Sequence, residues 1–290
     1  RARAPFLLDL AAEEGQLAAV EWLHARCARG ATTQAMDQAA AHGHLGVVEW
    51  LHRNRTEGCT KKAMGGAALA EHFDVCDWLN TNRKEGCEFM FLDKAAAVNS
   101  MPCMRWMFDV KGQRCTKKAM DTAAGNGNLE MVEFLHEKYK IVGGTFKAMD
   151  AAAKGGFLDV VTWLHTNRKE GCTVQAMDGA AAEGHLHILE WFHENRSEGC
   201  TPDAINGAAR NGHIECVEWL HSHKREQSTA TPIAMADAAG AGHLKVLQFL
   251  HKYQGTEIPD LAHQLAGQNF REEVQIWLAS VDPKGTGIKL

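Results

Sequence analysis

The stretch AMDQAAAHGHLGVVEWLHRNRTEGCT, residues 35–60, returns along almost the whole chain. Its methionine or a substitute stands at Met36, Met64, Leu92, Met120, Met149, Met177, Ile205 and Met235, at steps of 28, 28, 28, 29, 28, 28 and 30 residues. A fixed period of this length marks stacked supersecondary units, because one such unit cannot bury its own apolar face.

Within each unit, two alanines follow the Met column, as at Ala39-Ala40, Ala123-Ala124 and Ala180-Ala181. Met with Ala three and four residues on makes one apolar helical stripe, and Ala lets neighbouring backbones approach closely. Thr60, Thr116, Thr145, Thr173 and Thr201 stand ahead of it as helix N-caps. Gly15, Gly43, Gly127, Gly184, Gly212 and Gly242 then break the helix, as a left-handed C′ position requires. A second stripe, such as Leu45, Val47, Val48, Trp50 and Leu51, predicts a second amphipathic helix that stops near Gly58. Each unit therefore reads as helix, tight turn, helix, short loop. A first unit is visible in Asp9, Ala11, Ala12, Gly15, Val20, Trp22 and Leu23. A degraded last one is visible in Leu265, Ala266, Val274, Ile276 and Trp277, with a polar outer face from Gln268 to Glu273.

The order Ala-Ala-x-x-Gly-His-Leu-x-Val-Val resembles the ankyrin repeat over roughly residues 8 to 280. It departs from that family in opening Ala-Met-Asp where Thr-Pro-Leu-His is usual. Its period is also shorter than 33, and the missing residues fall where a β-hairpin would project. The Trp-Leu-His and Asn-Arg-x-Glu-Gly-Cys-Thr wording is similar to ankyrin-like repeats abundant in oomycete genomes. The expectation is an all-α, ankyrin-like helical solenoid of about ten stacked helix-turn-helix repeats with reduced or absent β-hairpins. It would form one domain over residues 1–280, with repeats starting near 8, 36, 64, 92, 120, 149, 177, 205, 235 and 262. Residues 281–290 would be a flexible tail.

The net charge of −5 and pI near 6.4 offer no basic footprint, which disfavours nucleic acid as a partner. The longest apolar runs fall far short of the roughly 20 residues a membrane span needs. Nine cysteines are an odd number in a chain this long, so reduced thiols and a cytoplasmic or nuclear location are expected. The chain opens Arg1-Ala2-Arg3 without a targeting pattern.

Several columns carry residues capable of chemistry. Trp22, Trp50, Trp78, Trp106, Trp163, Trp191 and Trp219 keep register with the Val pair, and a stacked, buried spine is expected of them. Histidines recur at His24, His52, His136, His165, His193, His221 and His251, and in the turns at His44, His185, His213 and His243. Equivalent positions in neighbouring repeats lie roughly 8–10 Å apart. That is too far for one metal ion, so structural hydrogen bonds are expected, with no metal and no cofactor. The loop cysteines Cys59, Cys87, Cys115, Cys172 and Cys200 are expected to be small buried hydrophobes.

The Asp column (Asp9, Asp37, Asp93, Asp121, Asp150, Asp178, then Asn206) has two readings. Its members either accept hydrogen bonds from the adjacent loop or attract a basic peptide. By resemblance to ankyrin repeats, varying first-helix positions face a concave groove. The partner-binding residues expected there are Asp37, Gln38, Leu69, Asp93, Lys94, Asp121, Thr122, Asp150, Lys154, Asp178 and Arg210. No phosphate-binding loop, nucleophile elbow or His-Glu-x-x-His occurs in the chain. A monomeric, non-catalytic scaffold for a partner protein or peptide is expected. The alternatives are a regulatory or targeting module of a larger enzyme, and carbohydrate or nucleic-acid binding on the aromatic column. The irregular repeat Val98-Asn99-Ser100-Met101-Pro102-Cys103 and the insertions near 139–144 and 223–231 are either drift or contact sites.

Overall fold

The computed structural model describes residues 7–26, 31–88, 91–111, 114–138, 144–224, 229–254 and 258–282, and no strand occurs among them. Residues 139–143 and 225–228, which fall within the two insertions, and the tail from 283 lie outside the described residues. The chain divides into two compact units, Arg1–Ala119 and Met120–Leu290.

The first unit stacks four helix pairs: α1 (Leu7–Glu13) with α2 (Leu17–Arg26), α3 (Thr33–Ala41) with α4 (Leu45–Asn54), α5 (Lys61–Leu69) with α6 (Phe73–Asn82), and α7 (Phe91–Ala97) with α8 (Met101–Lys111). In the second, α9 (Lys117–Gly125) and α10 (Leu129–Lys138) lead on to α11 (Phe146–Lys154) with α12 (Leu158–Asn167) and α13 (Gln175–Ala182) with α14 (Leu186–Asn195). The last pairs are α15 (Pro202–Asn211) with α16 (Ile214–His223), α17 (Pro232–Ala241) with α18 (Leu244–Gln254), and α19 (Asp260–Gln268) with α20 (Glu272–Val281). Within each unit, successive helix pairs fold back on themselves and lie against the next, an all-helical, ankyrin-like solenoid arrangement.

Local chemistry places several of the boundaries. The hydroxyls of Thr32, Thr60, Thr145 and Thr201 accept from the backbone N–H two residues on, closing the first turn of α3, α5, α11 and α15. The turn glycines lie at positive φ, from 67° at Gly15 to 91° at Gly242, where an L side chain is disfavoured. The Ala pair and the apolar pair of the inner repeats are buried, for example Ala39, Ala40, Val47 and Val48. Each such Val contributes about 1.5–3 kcal/mol.

The first helices approach so closely that several positions admit glycine alone. A Cβ on Gly66 would stand 2.7 Å from that of Ala41, and one on Gly207 would stand 2.7 Å from that of Ala182. Part of the variation read along the first helices is therefore a packing requirement, not a binding signature. A second seat lies in the turns. The imidazole of His72 covers Gly43, that of His213 covers Gly184, and Phe157 covers Gly127 in the same way. Where the irregular repeat starting near 92 meets the one before it, both partners of that seat have changed together. Glu71 takes the left-handed position at φ 62°, and Ser100 donates to its carboxylate at 2.7 Å while capping Cys103 N–H. That rung is repaired internally.

The tryptophan column is a correction. Trp50, Trp78, Trp163, Trp191 and Trp219 are half-exposed, and they do not stack on one another. Each meets the histidine of the preceding repeat edge-on, His24 to Trp50 and His52 to Trp78 at 5.1 Å with rings near perpendicular. The buried spine is made instead by the Met, Ala and Val columns. The loop cysteines Cys59, Cys87, Cys115 and Cys200 are buried as expected, while Cys172 is half-buried.

Phe270 holds the left-handed seat of the last turn at φ 54°, although the residue is 85% exposed. A left-handed non-Gly residue costs roughly 1–2 kcal/mol, and Gly gives back about half of that in chain entropy. Phe270→Gly should therefore raise the urea midpoint by an amount worth about 1 kcal/mol. An unchanged or lower midpoint would show that the seat is unstrained.

Candidate functional site

Six of the first helices present an aspartate to the loop that opens the next repeat. Asp37 accepts the Thr60 N–H at 2.7 Å on one oxygen and the Thr60 hydroxyl at 2.7 Å on the other. Asp9 with Thr32, Asp93 with Thr116, Asp121 with Thr145, Asp150 with Thr173 and Asp178 with Thr201 repeat the geometry. Asn206 serves Thr231 with its one carbonyl oxygen. Asp37, Asp93 and Asp178 are buried in doing so, and burial pushes the Asp178 carboxyl above its usual range against the pull of Thr201. These carboxylates are engaged inside the protein, so the geometry carries the structural reading of the column.

A second set of contacts runs along the back. Arg55 Nη1 donates to Nδ1 of His24 at 3.3 Å, and its other nitrogens hold Glu57. Arg83 with His52 and Glu85, Arg168 with His136 and Glu170, and Arg196 with His165 and Glu198 form the same latch. The arginine hydrogen bond holds the carboxyls of Glu57 and Glu198 below their usual range. Burial pushes the neighbouring thiols up, Cys59 to about 11 and Cys172 to about 12, which removes them as nucleophiles. The wording Asn-Arg-x-Glu-Gly-Cys-Thr thus spells one inter-repeat contact. No group of three or more metal-ligating side chains forms a site among the described residues.

The first helices also carry open surface. In the second unit they enclose a cleft of about 680 Å³ with a floor of Ala151, Gly179, Ala182 and Gly207. Of the residues expected to bind, Asp150, Lys154, Asp178 and Arg210 line it. Lys154 lies 3.9 Å from Glu183, and Arg210 pairs with Asp237 at 2.7 Å. Asp121 and the half-buried Thr122 sit on α9, outside the cleft. In the first unit, Gln38 donates to Glu13 at 3.5 Å, Lys94 pairs with Glu88, and Leu69 is half-buried at the end of α5. Sequence reasoning missed the rim column two residues before each Met, which reads Lys147, Gln175, Asp203 and Ile233 along the cleft. Its change of character from repeat to repeat was the available signal.

Residues 177–221, nearly all of α13 to α16, match the family model for ankyrin repeats in many copies. Over those residues the chain is similar to ankyrin repeats, and the other helix pairs follow the same helix-turn-helix pattern. No curated protein matches it. Ankyrin repeats are generally protein–protein interaction modules without catalytic activity. No described helix is long and apolar enough to cross a membrane.

The turn seats make the stack sensitive to acid. Burial, then the charge of His187, lowers His185 from its ordinary value near 6.5, and burial likewise lowers His243. A folded state that keeps these rings neutral is fully stabilised above about 6.5. It loses that contribution as pH falls through this value toward the lower folded one. The thermal midpoint should therefore decline below pH 6.5. It should decline less in His185→Asn/His243→Asn, since Asn128 already occupies this turn position in another repeat. Equal slopes in the two proteins would remove the turn histidines from the account.

Proposed function

We propose that the protein is a non-catalytic scaffold that takes a partner protein or peptide on its first-helix groove. The observation that carries this reading is the contrast between two sets of positions. The Asp, Thr, Arg and His columns recur and tie repeats together, whereas the cleft rim changes from Lys147 to Gln175, Asp203 and Ile233 over a floor of small residues. A floor of Ala and Gly allows a helix or extended segment to lie close to the backbone. A stacked scaffold is already ordered, so binding costs little conformational entropy on its side.

A second reading, carbohydrate or nucleic acid on the aromatic column, is favoured by the half-exposure of the tryptophans. The rings are engaged edge-on by histidine, and the net charge is −5, which leaves this reading the weaker one.

A photo-reactive residue at Gln175, on the groove rim, should cross-link a specific protein in source-cell lysate. The same residue at Lys169, in a back loop, should not. Lys154→Glu/Arg210→Glu should abolish the adduct. Equal capture from both positions, or capture indifferent to the charge reversals, would rule the groove out as the site.

A further inference from the structure

One contact in the second unit departs from the back latch that joins other repeats. In register with Arg55, Arg83, Arg168 and Arg196 stands Lys224, 31 residues after His193. The chain leaves α16 there at ψ 27°, against 153–159° at the four arginines, so the latch position takes a different course. His193 is exposed, whereas His24, His52, His136 and His165 are half-buried. Its ring still meets Trp219 edge-on at 5.5 Å, the orientation in which the other histidines offer an Nδ1 lone pair to arginine. The residue before the latch has changed as well. Asn54, Asn82, Asn167 and Asn195 donate to the carbonyl of the tryptophan one turn back, and here His223 makes that bond with Nδ1 at 3.0 Å. A carbonyl only accepts, so the proton sits on Nδ1 and the ring lone pair on Nε2.

We propose that His193 and His223 form a site for a divalent transition ion that favours imidazole, such as Zn²⁺ or Ni²⁺. Their ring centres lie 5.6 Å apart with planes at 66°. Two imidazoles on one ion, with bonds of about 2.0–2.1 Å, hold their ring centres roughly 5–6 Å apart. A ligating histidine fixes its tautomer by donating the other N–H, commonly to a backbone carbonyl, as His223 does. Trp219 lies flat on His223 at 4.7 Å and edge-on to His193, so one side chain orients both rings. The two changes act as a pair. An arginine at 224 would engage the His193 nitrogen, and an asparagine at 223 would leave a single ligand. Histidines of one column are a full repeat apart, but these two come from neighbouring columns, so the repeat spacing does not separate them. Two protein donors leave the other coordination positions to water, and binding is therefore reversible and micromolar. The ion would tie α14 to α16 where arginine ties the other repeats. This departs from the absence of metal expected from the sequence.

Equilibrium dialysis of the whole reduced chain against micromolar Ni²⁺ tests the site. The native chain should hold one ion more than His223→Asn and one more than His193→Asn. Both residues are exposed, and asparagine already stands in register with His223 in other repeats, so these variants keep the fold. Lys224→Arg should weaken the same ion several-fold, because the restored guanidinium competes for His193. Bound Ni²⁺ should also quench tryptophan emission, and that quenching should be lost in Trp219→Phe. An ion count unchanged in His223→Asn would overturn the proposal. So would an ion lost in one histidine variant and kept in the other, or binding undiminished by Lys224→Arg.

Discussion

The repeats are held in register by a carboxylate on one first helix that accepts two hydrogen bonds from the threonine opening the next. A buried carboxylate is costly unless both oxygens are satisfied, and a threonine N–H plus hydroxyl satisfies one oxygen each. The same threonine hydroxyl caps its own helix, so one residue joins the start of a repeat to the body of the preceding one. Because neither partner is useful alone, they are lost together. Where Gly65 replaces the aspartate, Glu88 replaces the threonine and Phe91 fills the space. Where Ala236 replaces it, Pro259 stands at the following N-cap. The irregular turn follows the same rule, with Glu71 and Ser100 changing as a pair.

Most of the fold was legible because its determinants are local. Period, threonine caps, turn glycines and the Ala and Val stripes act within one repeat, and each appears where the backbone requires it. The tryptophans were misread because helical register says which face a ring occupies, not how far the neighbouring repeat extends over it. The histidine seat on the preceding glycine was missed for a related reason. Gly43 and His72 lie 29 residues apart, and a Gly-His dipeptide reads as a turn of its own unless the stacking partner is known.

The candidate site was legible only in part. Lys154 and Arg210 stood out as varying first-helix positions and do border the cleft, but the aspartates chosen with them are engaged by threonine. Invariance within the array marked the contacts between repeats. Variation marked two things at once, the open rim and the close-packed glycine seats, and only spacing in three dimensions separates Gly207 against Ala182 from Asp203 at the rim.

The clamp is most directly tested by a double-mutant cycle on Asp178 and Thr201, the most deeply buried of these carboxylates at 4% exposure. Urea unfolding of the native chain, Asp178→Ala, Thr201→Ala and the double variant isolates the pair from the cap that Thr201 also provides. The account predicts a coupling of about 1–3 kcal/mol, with the second substitution costing little once the first is made. Additive losses would contradict it, since the two residues would then stabilise their own helices separately and the repeats would be held by apolar packing alone.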